Sequence, residues 1–278
     1  MSLHERIARG AARAAGMAIG LCVCPACFFS VALRCFSEQC PEPPWMPGAT
    51  VTVRRAVERI RLDGRLTEDS WLLATRLPIR LVHPGAETND PAGYFVMTYD
   101  EDRLYVGFDI ADTNLQARGS GRDQADVNPP NDLAMVFLDL NNDPEHIIEL
   151  HVNPLGAVND IFCLAPRNES PMRHRLKWGL MFISRWDIDG CAAAVSRRGT
   201  VNRTGDMDRG WSGEVSIPFS GLMMPAGRPR PDERDLWRVQ FAIQRGEEEK
   251  PWMTWMPSLE PWFHHGVEKW GKVIFRGD

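Results

Sequence analysis

The sequence predicts an all-β chain, an antiparallel β-sandwich of immunoglobulin-like or jelly-roll-like architecture. Two observations carry this. Short runs in which apolar and polar residues alternate recur along residues 51–276, and clusters of Gly, Pro, Asn and Asp punctuate them. A third is the scarcity of helical periodicity. Within the domain only Glu68–Ala74 reads as a helix, behind Thr67 as its cap, and a separate apolar helix is predicted before residue 38.

In chain order, residues 1–37 read as a signal peptide or a membrane anchor. Arg6, Arg9 and Arg13 precede an uncharged stretch, Ala14 to Leu33, closed by Arg34. Its length suits a bilayer crossing of roughly 20 residues, while Ser30-Val31-Ala32 offers a small-x-small cleavage site. Either reading exports the rest of the chain, to the periplasm or beyond the cell or tethered at the membrane, and confines membrane contact to this segment. Cys22, Cys24, Cys27, Cys35 and Cys40 fall here among apolar neighbours, and read as small apolar residues rather than metal ligands. Residues 38–50, with Pro41, Pro43, Pro44 and Pro47, read as a semi-rigid linker. Residues 51–278 form the domain. A formal net charge of −5 gives no basic face for nucleic acid.

The predicted strands are Val51–Val57, Tyr94–Tyr99, Arg103–Ala111, Leu133–Leu140, His146–Val152, Ala157–Leu164, Ala192–Val195, Trp211–Ile217, Trp237–Gln244 and Lys272–Phe275. Leu133–Leu140 is apolar on both faces, which predicts a central strand covered on each side. In His146–Val152 and Trp237–Gln244 one face is apolar. The other carries Glu149, His151, Gln240 and Gln244, and is predicted to meet solvent. Pro218 ends its strand because it has no amide to donate. Cys163 and Cys191 pair if their strands are neighbours.

Several segments, taken in order, resemble family 9 carbohydrate-binding modules. Gly210–Phe219 (GWSGEVSIPF) resembles the family's Gly-Trp…Glu…Ile-Pro-Phe strand, and Ile60–Trp71 (IRLDGRLTEDSW) its opening segment. Tyr99–Asp112 resembles its hairpin, Asn131–Asn142 with Glu149–Asp160 its central strand pair, and Trp237–Gly246 with Phe263–Phe275 its closing strands. The resemblance implies a non-catalytic module that binds a polysaccharide. In the family a terminal sugar is clamped by two tryptophans, a glutamate and an arginine. Those places fall here at Pro129 or Pro130, at Met135, at His151, and near Trp262 or His264, so the slot departs from the family's pattern. The resemblance also leaves structural calcium open. Asp112, Asp132, Asp139, Asp143 and Asp160 stand at strand ends or turns, without EF-hand spacing, and none is assigned as a ligand.

Sugar recognition needs an aromatic face for the C–H side of a pyranose and planar polar groups for its hydroxyls. Trp252, Trp255, Trp262 and His264, in an irregular proline-bearing segment, are predicted as the stacking side. His151, Asn153, Gln240, Gln244 and Arg245 are predicted as the polar side, and Trp71, Trp211, Trp237 and Trp270 as core. No catalytic residue is predicted. A glycoside hydrolase, or an accessory domain of one, is the alternative if Glu149 and Glu214 face one another across a cleft. A haem-binding sandwich, drawing on Met97, Met135, His151 and His174, is a second.

Overall fold

In a computed structural model of the chain, the structure describes residues 49–82, 86–87, 90–125, 127, 131–164, 181–183, 186–222, 230–246, 252–256 and 266–277. The expected signal or anchor segment and nearly all of the linker lie outside these residues. Strand β1 is Thr50–Arg55, followed by helix α1 (Asp69–Leu73) and the short strands β2 (Leu77–Ile79), β3 (Leu81–Val82) and β4 (Ala86–Glu87). Then come β5 (Gly93–Tyr99), β6 (Arg103–Ile110), β7 (Leu133–Asp139), β8 (His146–Val152), β9 (Val158–Leu164) and β10 (Met181–Ile183). The chain continues with β11 (Ala192–Arg197), β12 (Trp211–Pro218), β13 (Leu236–Gln244), β14 (Met253–Thr254) and β15 (Gly271–Arg276).

Each predicted strand is present, with ends shifted by no more than two residues. The helix is shorter than predicted. It starts behind Glu68, whose extended backbone makes it the cap in place of Thr67, and no side chain caps it. The short strands β2, β3, β4, β10 and β14 carry too few residues for an alternation to register.

The sandwich is one sheet curled on itself, not two separate sheets. Its path runs β10–β9–β8–β7–β13–β15–β1–β5–β6–β12–β11. The pairing is antiparallel except at the seam, where β1 runs parallel to both β15 and β5. This corrects the purely antiparallel expectation. β1 and β15 are the terminal strands of the domain, so no turn between them forces opposite directions. The long connection from β1 to β5, carrying α1, permits a crossover.

One apolar core fills the space between the two halves of the curl. Val136, Leu138, Leu150, Val239 and Phe241 come from the β7–β8–β13 half, and Phe95, Val106, Phe108, Trp211 and Val215 from the β5–β6–β12 half. Phe95 stacks on Phe241 across the middle, with ring centroids 4.6 Å apart. β7 is buried along its whole length, as its unbroken apolar run requires. Ala134, Val136 and Leu138 face this core. Leu133, Met135 and Phe137 face a second cluster on the outside of the sheet, with Ile147, Cys163, Val267 and Trp270.

A single carboxylate joins two of the segments that carry the family resemblance. Glu214, in the middle of β12, accepts the Asp63 and Gly64 amides at 2.8 Å each and the Trp71 Nε1–H at 3.0 Å. Ser212 Oγ donates to the Gly64 carbonyl at 2.7 Å. Gly64 has φ +82°, and a Cβ there would sit 2.3 Å from the Val195 carbonyl carbon, so the turn seats only a glycine. The segment from Ile60 to Ala74 thereby closes over the outer face of β5, β6 and β12.

Candidate functional site

The outer face of β7, β8 and β13 carries a row of polar side chains, and it is covered. Glu149 is 3% exposed, His151 and Gln240 are fully buried, and Gln244 is 4% exposed. This corrects the prediction that these groups meet solvent. Strand alternation cannot reveal a cover supplied by distant chain, here Ala125 and Val127, residues 252–256 and residues 266–270.

The polar row binds that cover. Gln244 Nε2 donates to the Val127 carbonyl at 2.8 Å and the Asn131 carbonyl at 3.2 Å, while its Oε1 accepts the Trp252 Nε1–H at 2.9 Å. Gln240 Nε2 donates to the Met256 carbonyl, and its Oε1 accepts the Met256 amide, both at 2.9 Å. His151 places Nε2 2.6 Å from Glu149 Oε1 and Nδ1 3.3 Å from the Ala125 carbonyl. The Cys163 thiol points at the other Glu149 oxygen from 3.8 Å, and burial, with that carboxylate, pushes its ionisation far up. Buried polar groups with complete partner sets are structural clasps.

The predicted site residues therefore divide. Trp255 is fully buried against Phe241, over the backbone of Gly271, and has no free ring face for a sugar. Asn153 is fully buried and spends its carboxamide on the Arg118, Gly119, Leu155 and Ala157 backbone. Gln240 and His151 serve the cover. Trp252 is half-buried, its ring packed on the outer apolar cluster and its nitrogen held by Gln244. Arg245 is half-buried and donates to the Ala111 carbonyl at 2.9 Å. Trp262 and His264 lie outside the described residues, as do Pro129 and Pro130. The structure brings Trp252, Gln244 and Arg245, with Val127 and Asn131, to one end of the sheet, while Met256 and Val267, which flank the stretch holding Trp262 and His264, lie against Gln240 and Arg238 further along β13.

At that end, carboxyl and amide side chains that the sequence reading passed over organise the loops. Asn131 Oδ1 accepts the Arg118 amide at 2.6 Å, Asn202 exchanges two bonds with the Ala117 backbone, and Asp208 accepts the Leu115 and Thr200 amides at 2.7 Å each. Their only signal was residue type, Asn and Asp in the connections between strands, where such side chains commonly bind backbone.

The alternative chemistries do not assemble. Glu149 lies on the outer face of β8 and Glu214 on the outer face of β12, with the main core between them, so they cannot share a cleft. Met135 and His151 are cross-strand partners on one buried face, with no gap for a macrocycle, and Met97 belongs to the main core. His174 lies outside the described residues. For calcium, the acidic turn groups are engaged by backbone. Asp139 Oδ1 accepts the Asn141 and Asp143 amides, and Asp143 the Glu145 and His146 amides. Among the described residues Asp123, Asp160 and Asp187 converge, but Arg122 already bonds Asp160 and Asp187 and supplies the positive charge. This set does not fit a cation. Cys191 packs against the main core and Cys163 on the outer cluster, so the two thiols are separate and unpaired. Burial pushes Cys191 up to about 12. Among the described residues no helix is long and apolar enough to cross a membrane.

No protein-family model matches the sequence, and no curated protein does. Solved structures do match. A family 9 carbohydrate-binding module from Caldicellulosiruptor kristjanssonii, in complex with cellotriose, superposes with a TM-score of 0.52 at 15% identity, over 82% of this chain and 94% of that one. The same family in complex with glucose, from the same organism, gives 0.50 at 16% identity over 82% and 96%. A carbohydrate-binding candidate from Bacteroides uniformis gives 0.57 at 14% identity over 82% and 100%. The curled sheet, its parallel seam and its loop-bearing end thus form the fold of the family 9 carbohydrate-binding modules.

Proposed function

We propose that the domain is a non-catalytic carbohydrate-binding module, exported or tethered by the segment before residue 38. The observation that supports it best is the fold shared with modules solved in complex with cellotriose and glucose. The site consists of Trp252 as the stacking ring with Gln244 bonded to it, Arg245 next in the strand, and Trp262 and His264 from the sequence after Met256. His151, Asn153, Gln240 and Trp255 build the platform beneath. Where the family's slot has a glutamate and an arginine, this chain has Met135 and His151, both buried. The ligand is therefore held from the loop end rather than from the sheet face. Titrating the purified chain with cellotriose, glucose and soluble xylan tests this. Saturable heat that Trp252→Ala and Trp262→Ala each diminish is the expected result, and heat indistinguishable from buffer for every sugar ends the reading. Amino-terminal sequencing of protein recovered outside the cytoplasm tests export and cleavage.

A further inference from the structure

At the end of the sheet opposite the loops lies an arginine-lined cavity, apart from the proposed sugar site. Strand β5 starts at the loop end, where Ala92 accepts the Ala111 amide, and finishes at the far end with Tyr99, level with Arg55 of β1. There a cavity of about 460 Å³ opens between the ends of β1 and β5, residues 230–234 ahead of β13, and Gly277 after β15. Clefts for small ligands run from about 300 to 1,000 Å³. Tyr99 lines it, 7% exposed, with its ring fixed edge-on against Phe275 at 5.3 Å between centroids. Another part of the lining is a braced turn. Asp232 and Asp235 exchange bonds at 2.8 and 3.0 Å, and Arg234 forks onto Asp232 at 2.8 and 3.2 Å.

Two guanidinium groups of the lining converge. Arg55, from the end of β1, and Arg230 both pair with one carboxylate, Glu101, in the turn between β5 and β6. Their side chains are 43% and 47% exposed and that of Glu101 is 55% exposed, so water and solutes reach all three. Among the described lining residues, Asp232 is matched by Arg234, and Glu233 by Arg276 at 3.4 Å. Asp100, beside Glu101, serves the Tyr105 hydroxyl and the Asp102 and Arg103 amides. The Arg55–Arg230 pair thus holds one positive charge more than the carboxylate it surrounds. Each guanidinium offers five donors in a plane that matches a carboxylate. Exposed ion pairs add little stability, so an incoming anion can replace Glu101 at small cost.

We propose that this cavity is a second ligand site, which takes a sugar bearing a carboxylate, a uronic acid. Arg55 and Arg230 hold the carboxylate where Glu101 now sits, and the sugar ring occupies the cavity beside Tyr99. Glu101 is then a built-in competitor that the ligand displaces. A carboxylate is assigned ahead of other anions because the two arginines are already arranged round one. The sugar half of the assignment rests on the carbohydrate reading, and the anion half stands on the cavity alone.

Nitrogen-15 NMR titration of the full chain with glucuronate, glucose, acetate and inorganic phosphate tests it. Glucuronate should shift the Arg55 and Arg230 Nε–H signals and the Tyr99 and Gly277 amides saturably, while glucose leaves them unmoved. Arg55→Gln and Arg230→Gln should each weaken that binding about fivefold, and Glu101→Gln should strengthen it by about the same factor. Unmoved signals, or one glucuronate affinity across wild type and all three variants, overturn the site. Acetate or phosphate bound as tightly as glucuronate overturns the sugar assignment, and glucose bound there as tightly overturns the role of the arginines. Trp252→Ala should leave the glucuronate shifts intact, and their loss would overturn the separation of the two sites. If cellotriose moves no signal while glucuronate shifts saturate, the loop-end reading fails and this site stands.

Discussion

The two outer faces of the curled sheet are both closed by polar clasps, but the clasps differ in kind. Over β5, β6 and β12 the cover is the nearby segment Ile60–Ala74, held by the carboxylate of Glu214, which has three donors and no charged partner among them. Over β7, β8 and β13 the cover comes from distant segments and is bound by the carboxamides of Gln240 and Gln244 and by the His151 ring, with the Glu149 carboxylate behind that ring and not on the cover itself. A buried carboxylate costs more to leave unpaired than a carboxamide, and it is stronger when fully bonded. The first face is accordingly built as permanent structure. The second is held by exchangeable bonds at the end where ligand chemistry is proposed, and local openings are drawn from such weakly held regions.

The sharpest test of the contrast is Glu214→Ala. It leaves two backbone amides and the Trp71 indole nitrogen without an acceptor, and at about 1–3 kcal/mol per buried unmet donor the loss should reach about 4 kcal/mol. Urea unfolding measures it, and a loss below about 1 kcal/mol would put the two faces on a par. Gly64→Ala comes next, at about 2–4 kcal/mol, because it combines a strained φ with backbone overlap. The midpoint of thermal unfolding reads this out, and an unshifted midpoint would mean that the turn can move away from β11.

Gln244→Met should have the third largest effect, about 1–2 kcal/mol in stability. Its diagnostic mark is elsewhere: faster hydrogen exchange confined to residues around 127, 131 and 252. Uniformly faster exchange would show that this face is not a separate unit. The smallest effect is in pH. Burial raises the Glu214 carboxyl above its ordinary 4.5, with Asp63, Gly64 and Trp71 opposing. The folded state thus keeps its proton longer than the unfolded chain. The associated stability is full below pH about 4.5 and declines as pH rises through the raised value. Urea midpoints of Glu214→Gln and wild type across this range should therefore diverge, with wild type carrying the extra slope.

Much of this was legible beforehand. The strands of β5 to β9 and β11 to β13 follow from alternation and turn residues, and β7 as the central strand follows from an apolar run without a polar side. Trp71, Trp211 and Trp237 are core, as their strand and helix positions required, and so is Trp270, which the family resemblance implied. The polar rows of β8 and β13 were read correctly as lying on one face. That face was misjudged as open, and with it went Trp255, whose Pro-flanked surroundings suggested a surface loop but whose ring sits on Gly271 in the interior.

The sequence by itself determined which residues form strands, which face each side chain takes and where the turns fall, because period-two geometry and turn preferences are set within a few residues. Only the tertiary structure decided the parallel seam at β1 and which face is covered. Those outcomes depend on contacts between segments far apart along the chain, and burial, the quantity that turns a polar side chain into a clasp, is a property of neighbours that local sequence does not carry.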